Sequence, residues 1–536
     1  MTESLSQSGI PLKRVYTPQD MPGFAYETNL NDPGSYPYTR GRHAGIHAAG
    51  SWIQRELSGE GEPERANRQL LYLLQKGQTG VDVIGDAPTM AWLDPDHPFA
   101  RHTVGTQGVS LCCLDDYREL YRDIPLDTIS VSHSLPATYS LAALYLVAKE
   151  HHVPPAKLRG SLVQDAFYCE DCSYAKYMPF RLRLRLTADS IEFCGDEMPK
   201  FHGFLEDTYY FSEVGLDSVE EMALGFIEIR YVVRELLKRG VAIDRFAPRI
   251  AILVNCRMDF FEEIAKIRAT RRLFARMMRE EFGAQDPRSL SAAITCHTSG
   301  LSLTSQQPVN NIVRGTVQAL ALAIAGVQAI EISAFDEAYR TPSPESHLIA
   351  LRTQQIVDLE SNVAKVADPL GGSYFVEALT GDLEKRIWDM VLSIEAKGDP
   401  AELSDKGWFR SLFDKAAERY AAQIREGKLP KVGLNVHQVP PEEDTMLRDV
   451  AERKMDPCWG RIEQVQEMKR KRDQGRLAAV LSDLYRAAKA EGENLMWPMI
   501  GATEAGATMG EVGGILRMAY GSRYDPVGGT EPPVSL

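Results

Sequence analysis

Short apolar stretches alternate with amphipathic stretches from about residue 64 onward. The amphipathic stretches, such as 217–239 and 259–282, repeat their apolar positions with the period of a helix. The apolar stretches have strand length and are predicted at 79–86, 108–114, 127–135, 160–167, 200–207, 248–256, 290–298 and 327–335. Alternating strands and helices indicate parallel strands. Eight such units predict an α/β fold of the (βα)8 TIM barrel type.

The strand at 127–135 has an unusual polar face. Ser130, Ser132 and Ser134 fall at every second position and therefore share one side, while Ile129 and Val131 take the other. The outward face of a barrel strand packs on helices, so the serines should point inward, where bulky aliphatic residues are usual. This pattern predicts a barrel axis left open for a slender polar ligand. A locally wet core is the alternative.

The pattern divides the chain into three parts. Residues 1–42 are rich in proline, glycine and tyrosine and predict an extended arm, and residues 43–345 form the predicted barrel. Residues 346–536 predict a helical C-terminal region. Helices are expected near 344–365, 382–398, 405–426, 442–455, 461–491 and 494–520.

Composition excludes several classes of protein. A net charge of -14 argues against a nucleic-acid surface, and no apolar run is long enough to predict a membrane span. Residues 1–5 show no secretory signal. Eight cysteines in 536 residues are too few for a disulfide framework, so a cytoplasmic location is expected.

Polar residues cluster at the predicted carboxyl ends of the strands, where barrel enzymes bind and react with their substrates. Neither a phosphate-binding loop nor a nucleophile elbow occurs in the sequence. Cys169 and Cys172 form a C-x-x-C that would suit a metal- or thiol-dependent barrel enzyme, but a second such pair is missing. The residues alone therefore indicate a barrel enzyme with a polar axis.

Several longer motifs carry a family resemblance. They include Tyr-Pro-Tyr-Thr-Arg-Gly at 36–41, Phe-Ala-Pro-Arg at 246–249, Thr-Ser-Gly-Leu-Ser-Leu-Thr at 298–304, Asn-Asn-Ile-Val-Arg at 310–314, Phe-Asp-Glu-Ala at 335–338 and Ala-Asp-Pro-Leu-Gly-Gly-Ser-Tyr at 367–374. With these motifs the chain resembles the large subunit of the methylmalonyl-CoA mutase family from about residue 34 to about 520. The resemblance implies a barrel whose axis is threaded by the pantetheine arm of an acyl-CoA.

The resemblance also implies a cofactor and a partner. Family members use adenosylcobalamin for radical carbon-skeleton isomerisation, with the cobalt ligand supplied by a D-x-H-x-x-G motif. That motif is absent from these 536 residues. A separate small cobalamin-binding subunit is therefore expected, in a heterotetramer of two large and two small chains.

Site residues follow from the resemblance, position by position. The residues matched to substrate binding are Arg40, Tyr36, Tyr38, Thr39, Ile84, Ser132, Val163, Gln164, Ser173, Tyr209 and Arg249. The residues matched to the corrin face are Glu213, Gly300, Ser333, Glu337 and Ala338. The candidate catalytic residues are Tyr210, His47 and His297.

The centre of the site departs from the family pattern. Ser173 replaces the arginine that binds the substrate carboxylate, and Val163 replaces a glutamine. Tyr210 stands for a histidine that contacts the thioester, His47 for a tyrosine and His297 for a glutamine, while Ser333 stands for an asparagine. A buried substrate carboxylate without a counter-charge is costly. We therefore expect a larger or non-carboxylated acyl group, such as a hydroxylated one. A catalytically inactive binding or regulatory subunit is the alternative.

Overall fold

The computed structural model describes residues 4–45, 51–168, 177–444, 446 and 456–535. The chain divides into two compact units. Unit one comprises Met1–Glu56 and Glu206–Arg453, and unit two comprises Leu57–Leu205 and Lys454–Leu536. Neither unit corresponds to one of the three predicted parts, and that three-part division stays a prediction.

Unit one is built on parallel strands that alternate with helices. Its strands are β3 (Ile53–Gln54), β9 (Ile250–Cys256), β10 (Ala293–Thr298) and β11 (Ala329–Glu331), hydrogen-bonded in the order β9-β10-β11-β3. Ile252, Val254 and Ile330 are fully buried, as expected for strands covered by helices. The helices of this unit are α6 (Thr208–Glu213), α7 (Ser218–Lys238), α8 (Ile243–Phe246), α9 (Phe260–Arg276), α10 (Pro287–Leu290), α11 (Asn310–Ala325), α12 (Pro344–Leu359), α13 (Tyr374–Glu395), α14 (Pro400–Asp405) and α15 (Trp408–Arg425).

The N-terminal arm is docked on unit one. It begins with a short antiparallel pair, β1 (Ser4–Leu5) and β2 (Pro11–Leu12). The backbone N–H of Gln7 donates to the Asp259 carboxylate at 2.8 Å, and the Ser8 hydroxyl donates to Glu262 at 2.6 Å. Both acceptors lie at the start of α9, so the arm is fastened by charge-assisted hydrogen bonds.

Unit two has the same alternation. Its parallel strands β4 (Leu57–Ser58), β5 (Gly80–Ile84), β6 (Ser130–Ser134) and β7 (Arg159–Gln164) are hydrogen-bonded in chain order. Strand β8 (Phe201–Asp207) runs from this unit into unit one. The helices are α1 (Pro63–Gln75), α2 (Ala87–Met90), α3 (Leu114–Leu120), α4 (Ala137–Glu150), α5 (Phe180–Glu197), α16 (Gly460–Lys471), α17 (Gln474–Lys489), α18 (Met496–Glu504) and α19 (Met509–Ala519). Val81, Val131, Leu144, Leu481 and Leu516 belong to its shared core.

Two details of the predicted pattern are corrected. The stretch 108–114 forms no strand, because Val109 makes only isolated bridges to Gly61 and Gly85, and α3 already begins at Leu114. The short strands β3 and β4 take its place in the series. The predicted helix 461–491 is two helices, since Asp473 caps a new helix by accepting from the N–H of Arg476.

Other predicted helices also change their bounds. The predicted helix 494–520 is broken at Gly506, which has φ 85°. The predicted helix 442–455 lies almost wholly outside the described residues. Among the described residues, no helix is long and apolar enough to cross a membrane.

Candidate functional site

A fixed carboxylate lies at the carboxyl ends of the strands of unit one. Glu213 is the last residue of α6, directly after β8. Its Oε1 accepts hydrogen bonds from the Asn255 amide at 2.7 Å and the Ser299 hydroxyl at 2.6 Å. Its Oε2 accepts from the backbone N–H of Leu301 at 2.7 Å. Three donors therefore hold Glu213 in one orientation.

Gly300 lies between polar groups that leave no room for a side chain. A Cβ there would stand 3.2 Å from Oε2 of Glu213, 3.5 Å from Oε1 of Glu337 and 3.7 Å from the Tyr209 hydroxyl. Glycine thus keeps the space between two carboxylates and a phenol open. The predicted corrin-face residues Glu213, Gly300 and Glu337 are brought together here.

Glu337 borders this site, and its side chain keeps exposed surface. Desolvation there, with the nearby charge of Glu213, raises the pKa of Glu337 to about 7. Ser333 hydrogen-bonds Glu337 and also donates from its hydroxyl to the backbone oxygen of Thr298 at 2.7 Å. Ala338, the next predicted corrin-face residue, is exposed.

His297 belongs to a buried charged row that the sequence did not predict. Its Nε2 lies 2.9 Å from Oε2 of Glu331, and Oε1 of Glu331 accepts from the Arg55 guanidinium. Arg55 and Glu331 are each 2% exposed. The Tyr209 ring meets His297 edge-on at 5.0 Å between centroids, and Tyr210 follows at 5.6 Å from Tyr209. Two predicted catalytic residues, His297 and Tyr210, therefore flank Tyr209.

Glu56 adds another buried carboxyl group. Burial raises its pKa well above the usual range, and the charges of Glu331 and Glu337 raise it further. The Gln354 amide donates to Oε1 of Glu56 at 2.8 Å, and Trp52 holds Gln354 at 2.9 Å. Unit one thus places several carboxyl groups close enough to influence one another's ionisation.

A cation borders the same site. The Lys431 ammonium donates to the backbone oxygen of Leu301 and lies 5.5 Å from the centre of the Tyr420 ring. Burial and the charge of Arg314 lower the pKa of Lys431 to about 8. Sequence patterns gave no signal for Lys431, because it lies in a loop far along the chain from β10.

Unit two carries the polar row that the serine pattern predicted. Asp82, Ser132 and Ser161 are paired laterally on β5, β6 and β7 and therefore share one face. The Ser132 and Ser161 hydroxyls are 3.1 Å apart. Ile84 and Val163 lie on the same face, two residues further along their strands. Gln164 points to the other face, where its amide nitrogen donates to Ser190 on α5 at 2.8 Å.

The predicted arm residues have partners within unit one. The Arg40 Nε donates to Asp368 at 3.1 Å, and Asp368 also binds the buried Arg268. The Thr39 hydroxyl donates to the Asn29 backbone oxygen at 2.7 Å. Two tyrosines complete the group: the Tyr36 hydroxyl donates to Glu280 at 2.9 Å, and that of Tyr38 to the Pro287 backbone oxygen at 3.4 Å.

Arg42 differs from Arg40. Burial and the neighbouring charge of Arg249 lower the pKa of Arg42, and its buried Nε has no hydrogen-bond partner. Among the described residues, no carboxylate pairs with Arg42. The charge of Arg249 acts on Arg42, so two guanidinium groups lie close together beside the arm. His47 and Ser173, with Cys169 and Cys172, lie outside the described residues.

Comparison with known proteins identifies the family of the chain. The family model described as methylmalonyl-CoA mutase matches residues 5–522. The 2-hydroxyisobutanoyl-CoA mutase large subunit of Aquincola tertiaricarbonis is 34% identical over 526 residues, covering 96% of this chain and 92% of the relative. The methylmalonyl-CoA mutase large subunit of Streptomyces virginiae is 33% identical over 524 residues, with 96% and 70% covered. Methylmalonyl-CoA mutase of Escherichia coli is 34% identical over 521 residues, with 96% and 72% covered.

The fold and site define an α/β barrel enzyme, as predicted, and its class is that of the acyl-CoA mutases, which are isomerases. The chain belongs to the methylmalonyl-CoA mutase family. This family depends on adenosylcobalamin. Similarity to a large subunit implies a small-subunit partner and an acyl-CoA substrate. The roles assigned to individual site residues stay predictions.

Proposed function

We propose that the chain is the substrate-binding large subunit of a mutase that isomerises the carbon skeleton of an acyl-CoA other than methylmalonyl-CoA. A small subunit would hold the cobalt, in a cytoplasmic heterotetramer of two large and two small chains. The acyl group would be larger than that of methylmalonyl-CoA or carry no carboxylate. A hydroxylated acyl group is one such case, and the Aquincola relative is named for one.

The site around Gly300 fits an adenosyl group. Two carboxylates and a phenol around an open glycine offer hydrogen bonds to the hydroxyls of a ribose. Glu213 is already oriented by three donors, so little order would be lost on binding. When bound, adenosylcobalamin supplies the radical that starts the rearrangement. Glu213, Tyr209 and Glu337 would hold its adenosyl end.

Several carboxyl groups of unit one lie close together and favour an acyl group without a carboxylate. The charges of Glu331 and Glu337 act on Glu56, and the Arg55 guanidinium is engaged by Glu331. A substrate carboxylate placed among these groups would lack an arginine partner. A neutral acyl group avoids this cost. A hydroxyl group could also hydrogen-bond to this acceptor-rich wall.

His297 and Tyr210 would position the acyl thioester. Tyr210 carries a phenol that can donate to the thioester oxygen. Oε2 of Glu331 lies 2.9 Å from Nε2 of His297, and this close contact would restrain the ring where it meets the acyl group. His47 and Ser173 keep their predicted roles as part of this proposal.

The coenzyme A arm would use the polar row and the arginine pair. Ser132 and Ser161 offer hydroxyls to the amides of the pantetheine arm. Arg42 and Arg249 would bind phosphate oxygens, for which guanidinium groups are well suited. Arg40 would act by shaping the arm through its pairing with Asp368.

Reconstitution tests the proposal. The purified chain is mixed with a small subunit bearing D-x-H-x-x-G, adenosylcobalamin, and either 2-hydroxyisobutanoyl-CoA or methylmalonyl-CoA. We expect cob(II)alamin absorbance and isomerisation with the uncharged acyl group. Turnover of methylmalonyl-CoA at about 1–1000 per second would contradict the carboxylate argument. Absence of homolysis with every acyl-CoA tried would instead support a binding or regulatory subunit.

A further inference from the structure

A second cavity lies within unit two, formed by residues that the proposed mutase site does not use. It encloses about 290 Å³. Its walls come from α16, α19, the segment after α2 and the C-terminal segment. The polar lining residues are Asp94, Asp96, His97, Lys469, Arg472, Glu511, Arg517, Tyr524, Asp525, Thr530 and Glu531.

Most carboxylates of this cavity are already paired. Asp94 accepts from Lys469 at 2.8 Å, the Thr508 hydroxyl at 2.6 Å and the backbone N–H of Gly510 at 2.9 Å. Lys469 also binds Asp96 at 2.7 Å. The carboxylates in this part of the wall therefore have little remaining capacity to hold another cation.

The other buried carboxylates are occupied in the same way. Glu511 binds the Arg472 guanidinium through both oxygens. Asp525 accepts from His97 at 2.9 Å and from the Thr530 hydroxyl at 2.8 Å. The backbone N–H of Phe99 donates to Nδ1 of His97, which leaves Nε2 as the protonated nitrogen that donates to Asp525.

Arg517 is the exception among the charged groups of the cavity. It is 2% exposed, and its Nε donates to the Tyr524 backbone oxygen at 2.9 Å. Its Nη1 is buried without a hydrogen-bond partner, and no carboxylate of the described residues forms an ion pair with Arg517. Burial lowers the pKa of Arg517 to about 10, although Tyr524, Asp525 and Asp94 act in the opposite direction. A buried guanidinium left in this state is costly until an anion meets it.

Tyr524 also lines the cavity and carries a second possible donor. Its ring lies against α19 where Gly514 leaves room, since a Cβ at Gly514 would stand 2.2 Å from the ring. No described residue hydrogen-bonds the Tyr524 hydroxyl. The cavity thus holds a guanidinium whose Nη1 lacks an acceptor and a phenol whose hydroxyl makes no hydrogen bond to a described residue.

We propose that this cavity, which we call the Arg517 cavity, binds a small oxyanion, a carboxylate or a phosphate, between Arg517 and Tyr524. Because the cavity lies in unit two and shares no residue with the corrin-face site, this inference does not depend on the proposed mutase activity.

Calorimetric titration of the full chain tests the Arg517 cavity. Inorganic phosphate and succinate are the two probes, each at constant ionic strength made up with chloride. We expect saturable binding of at least one probe, weakened tenfold or more in Arg517→Met and weakened less in Arg517→Lys. Arg470→Met is the control, because Arg470 is an exposed cation on α16 that does not line the cavity. Binding of phosphate alone or of succinate alone identifies the kind of anion.

Two outcomes would overturn the inference: no saturable binding of either probe, or equal binding by the wild-type chain and Arg517→Met. If Arg517→Met does not fold, Tyr524→Phe replaces it, because this change removes only a hydroxyl. The affinity of Tyr524→Phe for the probe is then expected to fall severalfold, and unchanged affinity would count against the site.

Discussion

At the scale of single residues, we expect the pair of Arg55 and Glu331 to affect both stability and the orientation of His297, because Oε2 of Glu331 lies 2.9 Å from Nε2 of His297. Glu331→Gln removes the negative charge of this buried pair. We expect a loss of about 3–5 kcal/mol in the free energy of unfolding, measured by urea denaturation. We also expect kcat with the preferred acyl-CoA to fall more than KM changes, because the His297 ring loses its fixed orientation.

A double variant separates charge from packing in this pair. Arg55→Met with Glu331→Leu replaces the whole pair with apolar groups of similar volume. Such replacements are often neutral for stability, so the double variant should be more stable than Glu331→Gln. Activity should stay low in both variants. Full activity in the double variant would show that Glu331 does not position His297.

Glu337 gives the site a dependence on pH. Its pKa is about 4.5 in an unfolded chain and about 7 in the folded chain. Between these values the folded state holds a proton that the unfolded state has lost, so stability falls as pH rises through this window. Glu337→Gln removes this contribution. The free energy of unfolding of the wild type, relative to that of Glu337→Gln, should therefore decrease as pH rises from 4.5 to 7.5. Thermal unfolding of both proteins across this pH range measures the difference. A difference that stays constant would contradict the shifted pKa.

At the scale of elements, the packing of α19 depends on small residues. Alanine is favoured over glycine in a helix by about 1 kcal/mol. Gly514→Ala would gain this amount but would place a methyl group 2.2 Å from the Tyr524 ring. Overpacking of this kind costs about 1–3 kcal/mol, so we expect net destabilisation in denaturant unfolding and displacement of Tyr524.

Gly501 is the matched control for this change. It lies inside α18, and an added Cβ would meet no atom within 4 Å. Gly501→Ala should therefore stabilise the chain by about 0.5–1 kcal/mol. If both alanine variants stabilise the chain equally, the contact between Gly514 and Tyr524 is not a packing constraint.

The elements also show where sequence patterns succeed and fail. Strands such as β9 were predicted because the sequence is apolar from Ile250 to Val254, and the structure buries these residues. Strands β3 and β4 were missed because each has two residues and Arg55 and Glu56 lie between them. The stretch 108–114 was predicted as a strand because it is largely apolar. Its residues Val109, Leu111 and Leu114 instead pack in the core of unit two, and Val109 makes only isolated bridges.

The candidate site was also predicted only in part from the sequence. Resemblance identified Glu213, Gly300 and Glu337, because their motifs are local in sequence. It could not identify the pairing of Arg55 with Glu331, which joins residues 276 positions apart. Arg42 was also missed, since only the structure shows that Arg40 is engaged by Asp368 while Arg42 has no anionic partner among the described residues.

At the scale of the whole molecule, the proposed function requires a small cobalamin-binding partner, as the similarity to a large subunit implies. The adenosyl end would meet Glu213 and Tyr209, but these contacts hold only one part of a large cofactor.

We therefore expect the chain alone to bind acyl-CoA and to release adenosylcobalamin during gel filtration. With the small subunit present, cobalamin absorbance should co-elute with both chains in equal numbers, at a mass of two 59.7 kDa chains plus two small ones. Glu213→Gln separates the two contributions: it should weaken homolysis in the complex while leaving co-elution of the subunits unchanged. Retention of adenosylcobalamin by the chain alone would contradict the proposal that the small subunit holds the cobalt.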